Sequence, residues 1–171
     1  MNGIAFSFMV FLILSHLLGE IDDINYPTRK KISEINLMVQ LEVAKRIVAD
    51  ENSQNKEYGQ LSILSQMYSD PEIIRIVPKK AFSPSPKVDS AIVQFKIKNE
   101  PKCPVSPLLK RTVRAIFMSR RKNIKNSLKN AGFINVEDAL AKSSIDSNER
   151  GEKLSIQRIY ELSVALGEYN K

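Results

Sequence analysis

The chain has 171 residues, a formal net charge of +7, one cysteine and one histidine. Its length fits one domain, or one small domain with an appendage. A composition of 43% hydrophobic and 26% charged residues excludes a wholly disordered or fibrous chain. The single Cys103 and the single His16 exclude a disulfide framework, a cysteine-based zinc knuckle and a histidine-rich site, so we expect no bound metal.

The first predicted element is an almost continuous apolar stretch at residues 3–18. It is shorter than the ~20 residues that a membrane-spanning helix needs. No Lys or Arg precedes it and no small-residue cleavage site follows it, as a signal peptide would require. The pattern favours a core helix, or a strand and helix; a membrane or signal segment and a disordered start are the alternatives.

The next part of the chain alternates strand and helix patterns. After a loop at residues 19–34, the apolar periodicity predicts a strand, two helices and two more strands at residues 35–40, 41–49, 58–68, 72–77 and 88–97. A proline-rich loop that begins at Phe82 joins the last two strands. This order predicts an α/β fold, namely the later part of a sheet that ends in an antiparallel pair.

Residues 99–104 form a predicted linker, and the pattern after them is wholly helical. Ser106 and Pro107 predict a capped helix start, Gly132 ends the second helix, and Gly167 ends the fourth. These patterns predict one domain over residues 1–98 and a four-helix domain over residues 105–171.

The positive charge is concentrated in one segment. Residues 101–136 contain nine basic and no acidic residues, which leaves 17 basic and 19 acidic residues elsewhere. Such a segment predicts a phosphate-binding surface on the first two helices of the helical part; a merely solvated basic face is the alternative. No glycine-rich phosphate loop and no nucleophile–histidine arrangement is present, so the residues alone name no catalytic site.

Four segments carry a family resemblance. Residues 37–46 read LMVQLEVAKR, and residues 58–62 read YGQLS. Residues 77–78 read VP and are followed by AFSPSPKVDSA at residues 81–91, and residues 117–129 read FMSRRKNIKNSLK. In this order they resemble the small-subunit ribosomal RNA adenine dimethyltransferases, over about residues 12–171. The resemblance implies the C-terminal portion of a Rossmann-like methyltransferase sheet, followed by a small all-helical RNA-binding domain.

The resemblance also implies an activity and its residues. The family transfers methyl groups from S-adenosylmethionine to the exocyclic amines of two adjacent adenines in small-subunit rRNA. The expected partner is the immature small ribosomal subunit, in the cytoplasm. Phe82 matches the aromatic residue that stacks on the target base, and a core anchor is its alternative role. The candidate RNA-binding residues are Lys87, Lys110, Arg111, Arg114, Arg120, Arg121, Lys122, Lys125 and Lys129.

The chain departs from the family pattern near its start. It has no counterpart of the family's glycine-rich donor loop, and residues 2–8 read NGIAFSF where the family has Asn-x-Pro-Tyr. We therefore expect an N-terminally incomplete member that does not bind S-adenosylmethionine by itself, so enzyme activity of this chain stays open. The alternatives are a non-catalytic rRNA-binding module in ribosome assembly and, third, a membrane-tethered protein that uses residues 3–18.

Overall fold

A computed structural model describes residues 3–53, 57–119 and 121–169. Its mixed architecture of helices and one small sheet confirms the predicted α/β class. In chain order, the elements are α1 (Gly3–Leu18), β1 (Glu34–Gln40), α2 (Leu41–Val48), α3 (Gln60–Tyr68), β2 (Ser69–Val77), β3 (Ser90–Ile97), α4 (Leu109–Met118), α5 (Ile124–Asn130), α6 (Val136–Lys142) and α7 (Ile156–Tyr169).

The three strands form one antiparallel sheet in the order β1-β3-β2. The predicted antiparallel pair of β2 and β3 is confirmed, and β1 pairs with the other side of β3, where Leu37 lies opposite Val93. Because β1 and β2 are both antiparallel to β3, they run in the same direction. Both strands therefore end at the same edge of the sheet.

Buried and more exposed residues alternate along β3, and this pattern shows which face of the sheet is covered. Ala91, Val93 and Phe95 have no exposed surface, whereas Lys96 on the opposite face is exposed. α2 contacts all three strands, and α3 contacts β2. A side chain such as Phe95, when fully buried in this way, typically contributes ~3–5 kcal/mol relative to alanine.

The predicted helix at residues 3–18 is confirmed as α1, but only one of its faces is buried. Val10, Leu14 and Leu18 recur every four residues and point into the core. Phe8 and Leu12, also four residues apart, are 62% and 52% exposed. In the described part of the chain, no helix has the length and apolarity that crossing a membrane requires.

A buried arginine organises the loop between α1 and β1. The Arg29 guanidinium donates to the carbonyl of Leu18 at the end of α1, to that of Asp23 at 2.8 Å and to that of Ile24 at 2.6 Å. It also lies 3.6 Å above the ring of Tyr68 in α3. One cation therefore satisfies three carbonyls and fixes the loop against the core.

The helical part corrects two predicted boundaries. The first helix begins at Leu109 and not at Pro107. The hydroxyl of Ser106 is buried and hydrogen-bonded to that of Ser163 at 2.5 Å, and no side chain caps the helix. α7 continues through Gly167 to Tyr169, so this glycine is not its terminator. Gly132, with φ of +78°, does lie at the turn that follows α5, as predicted.

The predicted linker packs closely against the strand-containing part. The N–H of Lys102 donates to the carbonyl of Met67 at 2.7 Å, and Cys103 is buried with its sulfur 3.9 Å from that of Met67. Burial raises the pKa of the Cys103 thiol to about 11, which disfavours the reactive thiolate. Buried side chains from before and after the linker belong to one hydrophobic cluster, and the division into two domains stays a prediction.

Candidate nucleic-acid interface

The edge at which β1 and β2 end is built around Asp89. The N–H of Leu41, the first residue of α2, donates to the carbonyl of Asp89 at 3.0 Å. The N–H of Lys79, just after β2, donates to the Asp89 carboxylate at 2.8 Å. These bonds fix the loop between β2 and β3 beside the start of α2.

The proline-rich loop projects from this edge. Phe82 is partly exposed and lies outside the hydrophobic cluster of the described residues, and Lys87 on the same loop is exposed. The Ser85 hydroxyl donates to the carbonyl of Lys79 at 2.9 Å, which closes the loop on itself. The aromatic side chain therefore stands on a short, internally bonded loop.

Three cavities follow one another along this side of the molecule. The first, about 380 Å³, is lined by Lys45, Glu57, Lys79 and Lys87 together with residues around Asp89. The second, about 290 Å³, also contacts Glu57 and lies among α1, α3 and Phe117 of α4. The third, about 410 Å³, also contacts Phe117 and extends to Arg121 and Lys122. Shared residues thus connect the loop of Phe82 to the segment after α4.

The start of α3 shapes the middle cavity. The N–H of Gly59 donates to the hydroxyl of Ser62 at 3.0 Å, and that hydroxyl donates to the carbonyl of Arg46 in α2 at 2.5 Å. Tyr58 then meets Phe117 edge to face, with the ring centroids 5.6 Å apart. The YGQLS segment therefore holds α2, α3 and α4 together around this cavity.

The structure separates the predicted RNA-binding cations into two groups. In the first group, the charged end of the side chain already contacts another part of the protein. Lys110 pairs with Glu20 at 3.4 Å. Arg111 lies 4.2 Å above the ring of Phe133 and donates to the carbonyls of Ala131 and Gly132, after α5, at 3.1 and 3.3 Å. Arg111 therefore has a structural task in joining α4 to the end of α5.

Lys125 and Lys129 also belong to this first group. Both bind the carboxylate of Glu137 in α6, at 2.9 and 2.5 Å. The two ammonium groups, with Lys129 contributing most, lower the pKa of Glu137 to about 2. Glu137 comes directly after residues 101–136, so the charge count of that segment does not include it.

The second group consists of Arg114, Arg121 and Lys122. All three are exposed, and none forms an ion pair with another described residue. Arg120 lies outside the described residues. Arg121 and Lys122 share the third cavity, whereas Lys87 lines the first. Lys45 and Lys79 also line the first cavity. The sequence did not point to them because each stands outside the basic segment and, unlike Lys87, outside the loop of Phe82.

The described residues do not fit a site for S-adenosylmethionine. A donor or dinucleotide site of this fold class needs a strand, a glycine-rich turn and a helix in succession. β1 passes directly into α2 at Gln40 and Leu41 without a glycine, and Gly59 follows a loop and not a strand. Within residues 3–53, 57–119 and 121–169, no group of three or more potential His, Cys, Asp or Glu ligands is suited to a metal ion.

Comparison with known proteins gives concordant results. A family model described as ribosomal RNA adenine dimethylase matches residues 9–167. Ribosomal RNA small subunit methyltransferase A of Clostridium botulinum (strain Kyoto / Type A2) is 39% identical over 155 residues, which cover 88% of this chain and 53% of the relative. The protein of the same name from Moorella thermoacetica is 37% identical over 158 residues, which cover 90% of this chain and 51% of the relative.

A solved structure extends the comparison to the fold. The crystal structure of a dimethyladenosine transferase from Plasmodium falciparum matches 99% of this chain and 65% of its own, with a TM-score of 0.68 and 19% identity. This likeness confirms the Rossmann-like part of the predicted fold class. The chain spans about half the length of the curated relatives it matches.

Proposed function

Because this chain belongs to the ribosomal RNA adenine dimethylase family, we propose that it supplies the RNA-recognition part of adenine dimethylation in small-subunit rRNA. The family takes its methyl groups from S-adenosylmethionine. Since the described residues do not fit the donor site, the chain by itself neither binds the donor nor transfers the methyl group. In this proposal, its partner is the immature small ribosomal subunit in the cytoplasm.

One observation carries the proposal. The three consecutive cavities run from the loop of Phe82 to Arg121 and Lys122, along the side where β1 and β2 end. A path that has a partly exposed aromatic residue at one end, and at the other end cations that pair with no acidic group of the described residues, matches the two needs of RNA recognition. Cations bind the phosphates without regard to sequence, and an aromatic face accepts an unstacked base.

The residues of this path have distinct tasks. Phe82 is the platform on which the target adenine stacks after leaving the RNA stack, so that its exocyclic amine is held in one plane. Lys87 binds a phosphate next to that adenine. Arg121 and Lys122 bind phosphates farther along the strand, and Arg114 adds a third cation on α4. Lys110, Arg111, Lys125 and Lys129 contribute less, because intramolecular partners already occupy them.

The decisive measurement is RNA affinity as a function of salt. We propose fluorescence anisotropy with a labelled hairpin from small-subunit rRNA whose loop contains two adjacent adenines. Arg121→Glu combined with Lys122→Glu should lower affinity and reduce the salt slope by about two, roughly one per phosphate contact. The matched control is Lys30→Glu combined with Lys31→Glu, which changes the same charge before β1, at the opposite end of the sheet. Equal losses in both double variants would contradict the proposal.

A second measurement tests the role of Phe82. Phe82→Ala should weaken hairpin binding by the binding free energy of one stacked base, ~1–3 kcal/mol, while the slope of log affinity against log salt concentration remains unchanged. Phe82→Trp should retain the affinity. A loss that is equally large for a hairpin without the two adenines would contradict a platform for the target base.

The donor prediction is tested by calorimetry. Titration of S-adenosylmethionine into the chain should give no heat of binding, and radiolabelled donor should leave no methyl groups on the RNA. The non-catalytic rRNA-binding module is the second candidate, because the same cavities serve it without any donor site. Micromolar binding of S-adenosylmethionine by this chain, or incorporation of methyl groups into the RNA, would contradict both the proposed function and this second candidate.

A further inference from the structure

We propose that the middle cavity, among α1, α3 and α4, holds a second unstacked nucleobase of the bound RNA strand, separate from the base on Phe82. The identity of the ligand as RNA rests on the proposed function, whereas the base site itself rests on this cavity. The occupant is one purine or pyrimidine ring that turns out of the strand between two phosphate-binding regions.

The walls of the cavity are aromatic and apolar. Phe117 forms one wall and is itself 7% exposed, held in place by its edge-to-face contact with Tyr58. Phe11 from α1 and Leu61 from α3 are partly buried around it. Phe8 stands at the rim and is 62% exposed. A flat ring entering here meets packed side chains on the inside and a freely accessible phenylalanine on the outside.

The size of the cavity matches a single ring system. Its volume of about 290 Å³ is just below the range, roughly 300–1,000 Å³, that small-molecule and cofactor sites occupy. It therefore suits one base better than a whole cofactor.

Polar groups line one side of the same cavity. The Arg46 guanidinium is held by Glu42 and by the hydroxyl of Ser7, at 3.3 Å from the latter. Glu57 and Gln60 add a carboxylate and an amide. A base has donors and acceptors on its edge and a hydrophobic face, and this combination of walls provides for both.

Charge complementarity decides between RNA and an apolar partner. On one side of it lies the cavity that contains Arg121 and Lys122 and, among the described residues, no acidic one; on the other lies the cavity where Lys45, Lys79 and Lys87 stand beside Glu42, Glu57 and Asp89. An apolar peptide gains nothing from the Arg121 and Lys122 cations. A nucleic-acid strand does, because its phosphates alternate with bases that stack on aromatic side chains.

Phe8 is the residue that distinguishes this site. It belongs to residues 2–8, which depart from the family's Asn-x-Pro-Tyr pattern, and the family model matches from residue 9 onward. On α1, Leu12 offers a matched control: it is 52% exposed, lies one turn farther along, and is not among the residues that line the cavity.

The test uses two single-stranded RNA oligonucleotides that differ only at a central position, where one has adenine and the other an abasic site. Phe8→Ala should weaken binding of the intact strand about 5- to 150-fold, the effect of losing one stacked base, and leave binding of the abasic strand unchanged. Phe8→Trp should retain affinity for the intact strand, and Leu12→Ala should bind both strands as the unmodified chain does.

The results separate this inference from the proposed function. If Arg121→Glu with Lys122→Glu weakens RNA binding but Phe8→Ala does not, the base site is wrong and the RNA-binding proposal stands. If the unmodified chain binds the rRNA hairpin but neither strand, the base site is wrong and the RNA-binding proposal stands; if it binds neither the strands nor the hairpin, both are wrong. Self-association in sedimentation that Phe8→Ala and Leu12→Ala abolish equally would assign this face of α1 to a second copy of the chain and overturn the base site.

Discussion

Replacing Glu137 by glutamine tests which cations of the basic segment are free to bind phosphate. The Glu137 carboxylate binds Lys125 and Lys129 at 2.9 and 2.5 Å and is solvent-exposed. Glutamine retains the shape of the side chain but not its charge. Both lysines therefore lose their anionic partner and become available to an incoming RNA strand.

The structure sets the size of the expected effect. Each neutralised phosphate contributes ~0.7 (single strand) to ~0.9 (duplex DNA) to the slope of log affinity against log salt concentration. Arg114, Arg121 and Lys122 form neither an ion pair nor a side-chain hydrogen bond with another described residue. Together with Lys87 of the Phe82 loop they predict a slope of about −3 to −4. Glu137→Gln should steepen it by up to about 1.4–1.8, since two lysines are released. If all nine basic residues of residues 101–136 bound a phosphate, the slope would instead be about −6 to −8.

The assay is fluorescence anisotropy of the labelled rRNA hairpin between about 50 and about 300 mM salt, a range over which this slope is readily measured. The control is Glu161→Gln on α7, which removes the same charge from a carboxylate bonded to Gln157 at 3.0 Å. A Glu137→Gln slope equal to that of the unmodified chain, or a slope near −7 before any substitution, would refute the assignment of free and occupied cations.

The remaining predictions concern stability and titration. Arg29→Met removes the donor from three backbone carbonyls and should lower the free energy of unfolding by about 2–4 kcal/mol in urea; unchanged stability would contradict its role. Gly151→Ala places a methyl group 2.9 Å from the Cβ of Ile116 and should cost ~1–3 kcal/mol. Gly167 lies inside α7, and a methyl group added there has nothing within 4 Å, so Gly167→Ala should instead stabilise the protein by up to ~1 kcal/mol. If both glycine substitutions changed the free energy of unfolding in the same direction, the close contact between Gly151 and Ile116 would be contradicted. The Glu137 carboxyl should titrate by NMR with a pKa of about 2; because this is below its ordinary value of 4.5, its contribution to stability is complete above about pH 4.5 and is lost as pH falls toward 2. A measured pKa near 4.5 would show that the lysines do not hold it.

The sequence by itself predicted the local elements and the family. Strand β1 was expected at residues 35–40 and occupies Glu34–Gln40, because the alternation of apolar residues is a local signal. The segment that begins at Phe82 was recognisable because its prolines and its aromatic residue are adjacent in the chain. The end of α7 was misplaced because one glycine is tolerated inside a helix whose face is well buried.

Only the tertiary structure decided which side chains share a surface. The position of β1 in the order β1-β3-β2 depends on its pairing with β3, whose residues lie fifty or more positions away, as Val93 does from Leu37, and no local pattern reports this pairing. The nine cations are a property of composition, but their availability depends on where acidic groups and carbonyls are placed by folding. Glu20 reaches Lys110 from the start of the chain, and Glu137 neutralises two lysines from the next helix. The Coulomb interaction falls with distance in space and not with separation along the chain, so the free part of the charge could be identified only in the folded molecule.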